Sequence, residues 1–473
     1  MKKYFGTDGI RGIPNQNLNI DLVRKIFSAV EKELNPVSVA VILDTRSSSS
    51  EILEWITSGL SEAVQVINYG VLPSGSMPII LKEFGHDLGV IISASHNPSE
   101  YNGIKLINKD GSKFSDELEL KIEQSSEIID LPEASTKYKD SDLGYQAYLN
   151  FLKTELNFDL GNFNLVIDAA NGSAYKIVDE LFSTKHSKYK LIANSPDGSN
   201  INEKSGATHL NFLSNVLKNG ELGAAFDGDA DRLIMVDEEG EICNGDVIIL
   251  LIAKYFSSIN QLKNNIVVST VMSNFGFKQS MQANNFNNIE TNVGDKYVAE
   301  SLLLNNASIG GEQSGHIIIP DILPVGDGLL TLIYCLKALT FFNTTLSEFK
   351  NNNIKEYPQK LVNLKLESLA TTDQLNELKI IANQLAAESS LDGRYLIRNS
   401  GTEPVLRILV EAKTDQELDE FMSKLIKKIE NYLISWFKLY NEYSEQISAR
   451  PLIRWRGSML SKNSADAYSA LRS

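Results

Sequence analysis

The chain has 473 residues, 42% of them hydrophobic and 22% charged, with a formal net charge of −15. That length holds roughly three or four domains of ~100–200 residues. The acidic balance argues against nucleic acid or an anionic membrane as partner, because either would repel it; a phosphorylated small molecule held by local basic groups and a cation remains open.

The two cysteines, Cys243 and Cys335, are far apart, which gives neither a disulfide framework nor a zinc set and fits a reducing cytosol. Met1-Lys2-Lys3-Tyr4-Phe5-Gly6-Thr7-Asp8 lacks the apolar core of a signal peptide. No stretch approaches the ~18 apolar residues of a membrane span. The expectation is a soluble cytoplasmic protein, monomer or homodimer.

In chain order, Gly6-Thr7-Asp8-Gly9-Ile10-Arg11-Gly12 packs three glycines around Thr, Asp and Arg. It is either a plain Gly-rich turn or a place where Arg11 forks onto a phosphate. A helix is expected over about Asp21 to Leu34, a strand over Val37 to Leu43 ending in Asp44-Thr45-Arg46, and a crossover helix over Glu51 to Ala63. Strands follow at Val64 to Tyr69 and Leu88 to Ile92. The alternation predicts a parallel sheet with right-handed crossovers.

Leu88 to Ile92 delivers Ser93-Ala94-Ser95-His96-Asn97-Pro98, with Tyr101-Asn102-Gly103-Ile104-Lys105 as its tail. A hydroxyl at the carboxyl end of such a strand, beside His96 and near Lys105, suits a nucleophile or phosphate carrier. A polar chain reversal built on Asn-Pro and Asn-Gly is the alternative. The acidic run from Ser125 to Leu143 has little periodicity and is expected to be a linker.

A second block opens near Tyr145. Its strand Leu222-Gly223-Ala224-Ala225-Phe226 runs into Asp227-Gly228-Asp229-Ala230-Asp231-Arg232. Three carboxylates on alternate residues repel one another, and a bound cation relieves them. Hard oxygen ligands suit Mg²⁺. A calcium EF-hand loop is disfavoured, although Glu238 falls where that loop ends. Arg232 stands where it needs Gly, and Leu233-Ile234-Met235-Val236 reads as a returning strand.

The third block, from about Gly240, holds strand Ile266 to Thr270 and the loop Gly310-Gly311-Glu312-Gln313-Ser314-Gly315-His316. Glu312 and Ser314 suit a hydroxylated ligand, and His316 is either structural or a general acid or base. Val325-Gly326-Asp327-Gly328 is a turn capping a helix from near Leu329.

The last block, about Ile354 to Leu433, has strands at Val362 to Leu366 and Val405 to Val410 and helices at Thr372–Ala387 and Asp415–Tyr432. This is the pattern of a small α+β domain. Between its strands, Ile397-Arg398-Asn399-Ser400-Gly401-Thr402-Glu403-Pro404, with Arg407 beyond, is either a phosphate cradle or a polar hairpin loop. From Trp436 on, six basic residues stand against three acidic ones in an otherwise acidic chain. That stretch is expected to be a disordered or loosely docked tail.

Together these loops supply a serine, a metal triad, a polyol-recognition loop and a phosphate cradle. The set suggests phosphoryl transfer on a phosphorylated, hydroxyl-bearing small molecule. On the residues just quoted, from the opening glycine motif through Ser93 to Pro98, Asp227 to Arg232, Gly311 to His316 and Arg398 to Pro404, the chain resembles the α-D-phosphohexomutase superfamily over about Tyr4 to Tyr432. Within it, Gln313 beside Glu312 and the Ser-Ala lead into Ser95 make it most similar to the phosphoglucosamine mutase family.

The resemblance implies an α/β fold: three consecutive mixed or parallel-sheet domains, at 1–140, 141–239 and 240–353, plus a small α+β domain at 354–435 around a central cleft, then the tail 436–473. It implies that Ser95 carries a phosphoryl group and joins Asp227, Asp229 and Asp231 on one Mg²⁺. Glu312 and Ser314 would grip sugar hydroxyls, and Arg398, Ser400, Gly401 and Thr402, with Arg407 nearby, the non-reacting phosphate. Arg11, Lys105, Arg232 and His316 would stabilise charge or move protons around Ser95 and His96. The implied reaction interconverts glucosamine 6-phosphate and glucosamine 1-phosphate through a bound 1,6-bisphosphate, which also serves as activator, and so supplies amino-sugar nucleotide synthesis.

The chain departs from the family pattern at Leu43, where a basic residue is usual, at Ser49 (Gly), Lys296 (Arg) and Val325 (Thr). Rival expectations are phosphomannomutase or phosphoglucomutase activity, a non-catalytic sugar-phosphate sensor, and a haloacid-dehalogenase-type phosphatase built on Asp227-x-Asp229. The last leaves Ser95 without a role.

Overall fold

The computed structural model describes the chain except residues 1, 7, 130, 132–136, 162, 184–187, 401–403 and 449–473, with residues 435–448 described as backbone. The chain forms two compact units, Met1–Ser273 with Phe277–Lys355, and Asn274–Gly276 with Glu356–Ser473.

The first unit holds three sheets. In spatial order, the first comprises Phe5–Gly6, Gly9–Gly12, Asn102–Asn108, Leu88–Ile92, Ser38–Leu43, Gln65–Val71 and Lys139–Asp140. Ser38–Leu43 lies parallel to both Gln65–Val71 and Leu88–Ile92. Asn102–Asn108 runs antiparallel to Leu88–Ile92 and to Gly9–Gly12, so the sheet is mixed rather than parallel. The cause is loop length: 93–101 is too short for a helical crossover, which takes a dozen or more residues, and the next strand must return. Lys105 therefore sits mid-strand, not in a loop tail. The Gly-rich opening is an edge hairpin, Phe5–Gly6 paired with Gly9–Gly12.

Helix Ile20–Leu34 starts where Asn19 accepts from the Leu22 amide and ends on left-handed Asn35. The expected linker at Ser125–Leu143 is in part regular structure. Helix Asp116–Glu127 runs into it, and Lys139–Asp140 adds an edge strand against Ile67 and Asn68. Buried Glu123 on that helix accepts backbone N–H bonds from Lys3, Tyr4 and Phe5 at 2.6, 2.6 and 2.7 Å, which pins the first strand.

The second sheet has the order Ile242–Cys243, Leu233–Val236, Leu222–Phe226, Leu165–Asp168, Tyr189–Ile192. Leu233–Val236 is the returning strand, antiparallel to Leu222–Phe226. The third has Asn287–Thr291, Ile266–Thr270, Gly310–Gly311 and Ile317–Ile318. One apolar core runs through all three sheets, from Ile42 and Tyr69 past Ile167 and Phe226 to Ile309, and includes the buried helices Gly245–Ser258 and Gly328–Phe342. That shared core fixes the loops of the three sheets relative to one another. Asp327 caps the second of these helices by accepting from the Leu330 amide at 2.9 Å.

The second unit is a three-stranded antiparallel sheet, Gln359–Lys365, Val405–Ala412 and Gly393–Asn399, packed on helices Thr372–Ser389 and Asp415–Ser448. Two expectations are corrected. Ile397, Arg398 and Asn399 end a strand rather than lie in a loop. The last helix continues from Tyr432 to Ser448, so the first part of the expected tail, 436–448, is helical; the rest lies outside the described residues. Among the described residues, no single helix is long and apolar enough to cross a membrane.

Candidate active site

Two strand ends meet. Leu88–Ile92, buried along its whole length, delivers Ser95, and Leu222–Phe226 delivers Asp227, Asp229 and Asp231. Ser95 Oγ donates to Asp227 Oδ2 at 2.5 Å and lies 3.5 Å from His96 Nδ1. Ser95 is buried with φ +52°, a left-handed conformation that L residues rarely adopt. Its N–H donates to Ser93 Oγ at 2.9 Å, and Ser93 Oγ donates to Asp44 Oδ2 at 2.6 Å. Ser49, one of the departures, donates to the same Asp44 at 3.1 Å and keeps that loop closed.

The three aspartates are buried, and their carboxylate oxygens lie within 4.8 Å of one another. Among the described residues, Asp229 Oδ1 and Asp231 Oδ1 have no hydrogen-bond partner, the latter facing only the longer His316 and Arg232 ion pairs. Buried, hard, orphaned anionic oxygens at that separation fit a divalent cation. Burial, reinforced by the Asp231 and Asp229 charges, pushes the Asp227 carboxyl up to about 8.

Cations surround the triad. Lys105 Nζ lies 2.8 Å from Asp229 Oδ2, 3.0 Å from Asp231 Oδ2 and 3.0 Å from Asp8 Oδ2. Burial works against its charge, but those three carboxylates hold its ammonium well above the usual lysine range. Asp8 in turn pairs with Arg11 and, at 2.5 Å, with Lys113. Burial would raise its carboxyl, yet Lys105, Lys113 and Arg11 hold it well below the ordinary range. Arg11 Nη1 also donates to Asn97 Oδ1 at 2.8 Å.

His316 is buried between two carboxylates, with Nδ1 3.6 Å from Asp231 and Nε2 3.5 Å from Asp295. Burial lowers its pKa, but the two aspartates outweigh it and push it up to about 9, so it is a cation at neutral pH. His96 is the opposite case: burial, with Arg232 and Arg11 nearby, pulls it down to about 4 and keeps it neutral. Arg232 Nε stands 4.0 Å from Asp227 and 3.9 Å from Asp231. Glu312 is buried and accepts from the Gly294 amide at 3.0 Å, whereas Ser314 is exposed at the loop tip. Lys296 pairs with Asp116 at 2.6 Å and Glu119 at 3.4 Å, and so ties its helix to Asp116–Glu127.

The first unit thus brings together Ser95, His96, the Asp triad, Arg11, Lys105, Arg232 and His316, with Glu312 beside Arg232 through its charge. Arg398, Ser400 and Arg407 belong to the second unit. There Arg398 and Arg407 oppose each other across neighbouring strands, and Arg407 Nη2 lies 3.4 Å from Ser400 Oγ. Burial and the Arg407 charge lower the Arg398 pKa. Two guanidiniums left facing each other suit an anion. Gly401 and Thr402 lie outside the described residues.

Sequence reasoning gave no role to Asp8, Lys113, Asp295, Arg46 or Asn202. Asp8 stood within a quoted motif and Arg46 at a strand end. Asp295 stood beside Lys296, one of the departures, without a role, and Lys113 and Asn202 carry no local signal.

The chain is similar to known proteins along most of its length. Four phosphoglucomutase/phosphomannomutase family models match in order: alpha/beta/alpha domain I over residues 2–132, domain II over 146–240, domain III over 244–357 and the C-terminal domain over 361–428. The phosphoglucosamine mutase of Limosilactobacillus reuteri is 39% identical over 442 residues, covering 89% of this chain and 97% of that protein. The phosphoglucosamine mutase of Bacillus velezensis is 38% identical, covering 90% and 98%.

Among solved structures, a phosphoglucomutase/phosphomannomutase family protein from Burkholderia thailandensis superposes with a TM-score of 0.74 at 23% identity, covering 91% of this chain and 98% of its own. The Aspergillus fumigatus N-acetylphosphoglucosamine mutase, in complex with GlcNAc-6P and magnesium, gives 0.67 at 17% identity, covering 91% and 96%. At those identities the two structures speak for the fold alone. The four family models and the relatives matched over nearly their full length show that the chain belongs to the phosphoglucosamine mutase family of the α-D-phosphohexomutase superfamily.

Proposed function

We propose that this chain is a phosphoglucosamine mutase, interconverting glucosamine 6-phosphate and glucosamine 1-phosphate in the cytoplasm. The observation that carries the reading is the Ser95 hydroxyl held against Asp227 inside a buried triad with orphaned oxygens. Ser95 carries a phosphoryl group and gives it to the free hydroxyl of the bound sugar phosphate. The resulting 1,6-bisphosphate turns over, and Ser95 takes back the other phosphate. Glu312 and Ser314 contact the sugar hydroxyls, and Arg398, Ser400, Gly401, Thr402 and Arg407 hold the phosphate that is not reacting.

Asp227, Asp229 and Asp231 would hold Mg²⁺, which when bound neutralises charge on the transferring group. Lys105, Arg11, Arg232 and protonated His316 add fixed positive charge around the same point. Neutral His96 beside Ser95 Oγ is placed to accept or return a proton.

The test is intact mass and phosphopeptide mapping before and after incubation with glucosamine 1,6-bisphosphate, with turnover of glucosamine 6-phosphate set against glucose and mannose 6-phosphates. Phosphate on Ser95 and preference for the amino sugar are expected. An unmodified Ser95 in folded, Mg²⁺-supplied protein would overturn the mechanism, and preference for glucose or mannose would shift the substrate.

Metal removal gives a second prediction. Chelation is expected to stop turnover and Mg²⁺ to restore it. Because the metal-free Asp227 carboxyl titrates at about 8, a metal arriving at pH 7 must displace its proton. Affinity for Mg²⁺ is therefore expected to rise by up to about tenfold per pH unit below 8 and to level above it. Calorimetry in buffers of different ionisation enthalpy reads the released proton; affinity independent of pH would contradict the expectation.

A further inference from the structure

The mechanism leaves unused the way the Ser95 loop is held. Two side chains from different sheets fasten it. Arg46 Nη2 donates to Ser95 O at 3.0 Å and Asn97 O at 2.8 Å, and its Nη1 to Pro98 O at 2.6 Å. Asn202 Nδ2 donates to the same Ser95 O at 2.9 Å and the same Asn97 O at 3.1 Å. The Ser95 and Asn97 carbonyls each accept from both donors, and Pro98 O from Arg46.

The donors differ in origin. Arg46 follows Ser38–Leu43 in the first sheet, is fully buried, and is balanced by Asp44, with Nε 2.9 Å from Oδ2. It rides on the same sheet as Ser95, so it sets the shape of the loop but not its place relative to the aspartates. Asn202 comes from the loop after Tyr189–Ile192 in the second sheet, as the aspartates do. It is buried, itself left-handed at φ +59°, and its N–H donates to Ala170 O at 2.9 Å. Gly228, between Asp227 and Asp229, closes the arrangement. A Cβ there would lie 2.6 Å from Ser95 O and 2.9 Å from Asn202 Nδ2, so the aspartate loop packs its backbone directly on these atoms.

We infer that Asn202 is a positioning residue, a latch that holds the Ser95 loop of the first sheet in register with the Asp227–Asp231 loop of the second. In-line transfer tolerates little error: a displacement of about 1 Å costs on the order of 100-fold in rate. The inference rests on the reading of Ser95 as the phosphoryl carrier.

The experiment compares wild type, Asn202→Ala and Asn202→Asp for kcat and KM with glucosamine 6-phosphate, for Tm, and for hydrogen exchange across residues 93–98. In Asn202→Ala kcat is expected to fall about 10- to 100-fold, with KM little changed and Tm within about 4 °C. In Asn202→Asp it falls further, because a carboxylate then faces two carbonyl oxygens. Exchange quickens in the 93–98 segment alone.

Unchanged kcat in both variants, a rise in KM alone, or a collapse of Tm with exchange quickened throughout would each overturn the latch. If wild type shows neither Ser95 phosphate nor turnover, the functional reading fails by itself. Exchange then decides the latch: faster exchange confined to 93–98 supports it and unchanged exchange removes it.

Discussion

Ser95→Ala is expected to reduce mutase turnover by on the order of 10⁴-fold or more, to whatever background remains without a covalent phosphoryl carrier. The fold is expected to persist, because what holds the loop is mostly backbone. The Ser95 N–H still donates to Ser93 Oγ, and its carbonyl still accepts from Arg46 and Asn202. Alanine meets the same left-handed backbone as serine. The loss is one hydroxyl donor to Asp227 Oδ2, worth about 1 kcal/mol. Thermal melting together with a coupled mutase assay on the purified variant checks both halves. Turnover within tenfold of wild type would dismiss Ser95 as the carrier, whereas an unfolded variant would show that the hydroxyl matters to structure more than the contacts allow.

The legible parts of this site are those whose chemistry is concentrated in a few consecutive residues. Asp227, Asp229 and Asp231 follow an unbroken apolar strand, so both their exposure to one another and their place at a strand end could be derived locally. Ser95 was legible for the same reason, though from its own residues a polar chain reversal served as well. A plain polar reversal does not account for its burial against a carboxylate from 132 positions away, and that contact is why we propose Ser95 as the carrier.

Lys105 was misplaced because Asn102-Gly103 is a turn signal by composition, while the structure uses it to begin the strand that returns beside Leu88–Ile92. Tertiary pairing overrode the dipeptide. Asp8, Lys113, Asp295 and Asn202 were illegible for another reason. Lys113, Asp295 and Asn202 act on residues of other segments, and Asp8 reaches Lys105 and Lys113 besides Arg11 of its own motif; nothing in their neighbourhoods encodes those distant partners. The small last domain shows the limit again, since Gly393–Asn399 lacks the alternation of its neighbours and is a strand because Val405–Ala412 pairs with it.

Lys105→Met is expected to combine a loss of turnover of roughly 100- to 1000-fold with a loss of stability of about 3–5 kcal/mol near neutral pH. Methionine fills the volume of the stem, so packing is nearly conserved. What disappears is the cation shared by Asp8, Asp229 and Asp231, all within 3.0 Å of its Nζ. The pH dependence separates this from a packing defect.

In wild type, the depressed Asp8 carboxyl contributes stability that is present above about pH 4 and lost as pH falls through its lowered folded value. The raised Lys105 contributes stability that is present below about pH 10 and lost only as pH rises through its higher folded value. Between those limits neither Asp8 nor Lys105 adds a pH dependence to wild-type stability; the neighbouring Asp227 and His316, raised to about 8 and about 9, titrate in that window in both proteins. In the variant Asp8 and Asp231 keep Lys113, Arg11 and His316 but lose the ammonium they shared, so their ionised forms are less favoured and the folded state weakens as they ionise.

The melting deficit of Lys105→Met should therefore be largest at pH 7 to 8 and narrow steadily toward about pH 5. Added Mg²⁺ should narrow it as well, by returning positive charge to Asp229 and Asp231. Scanning fluorimetry over that range, with and without Mg²⁺, reads both effects. A deficit that is constant with pH and indifferent to Mg²⁺ would mean that the lysine matters through its methylenes, and the charge-centred account of the site would have to be given up.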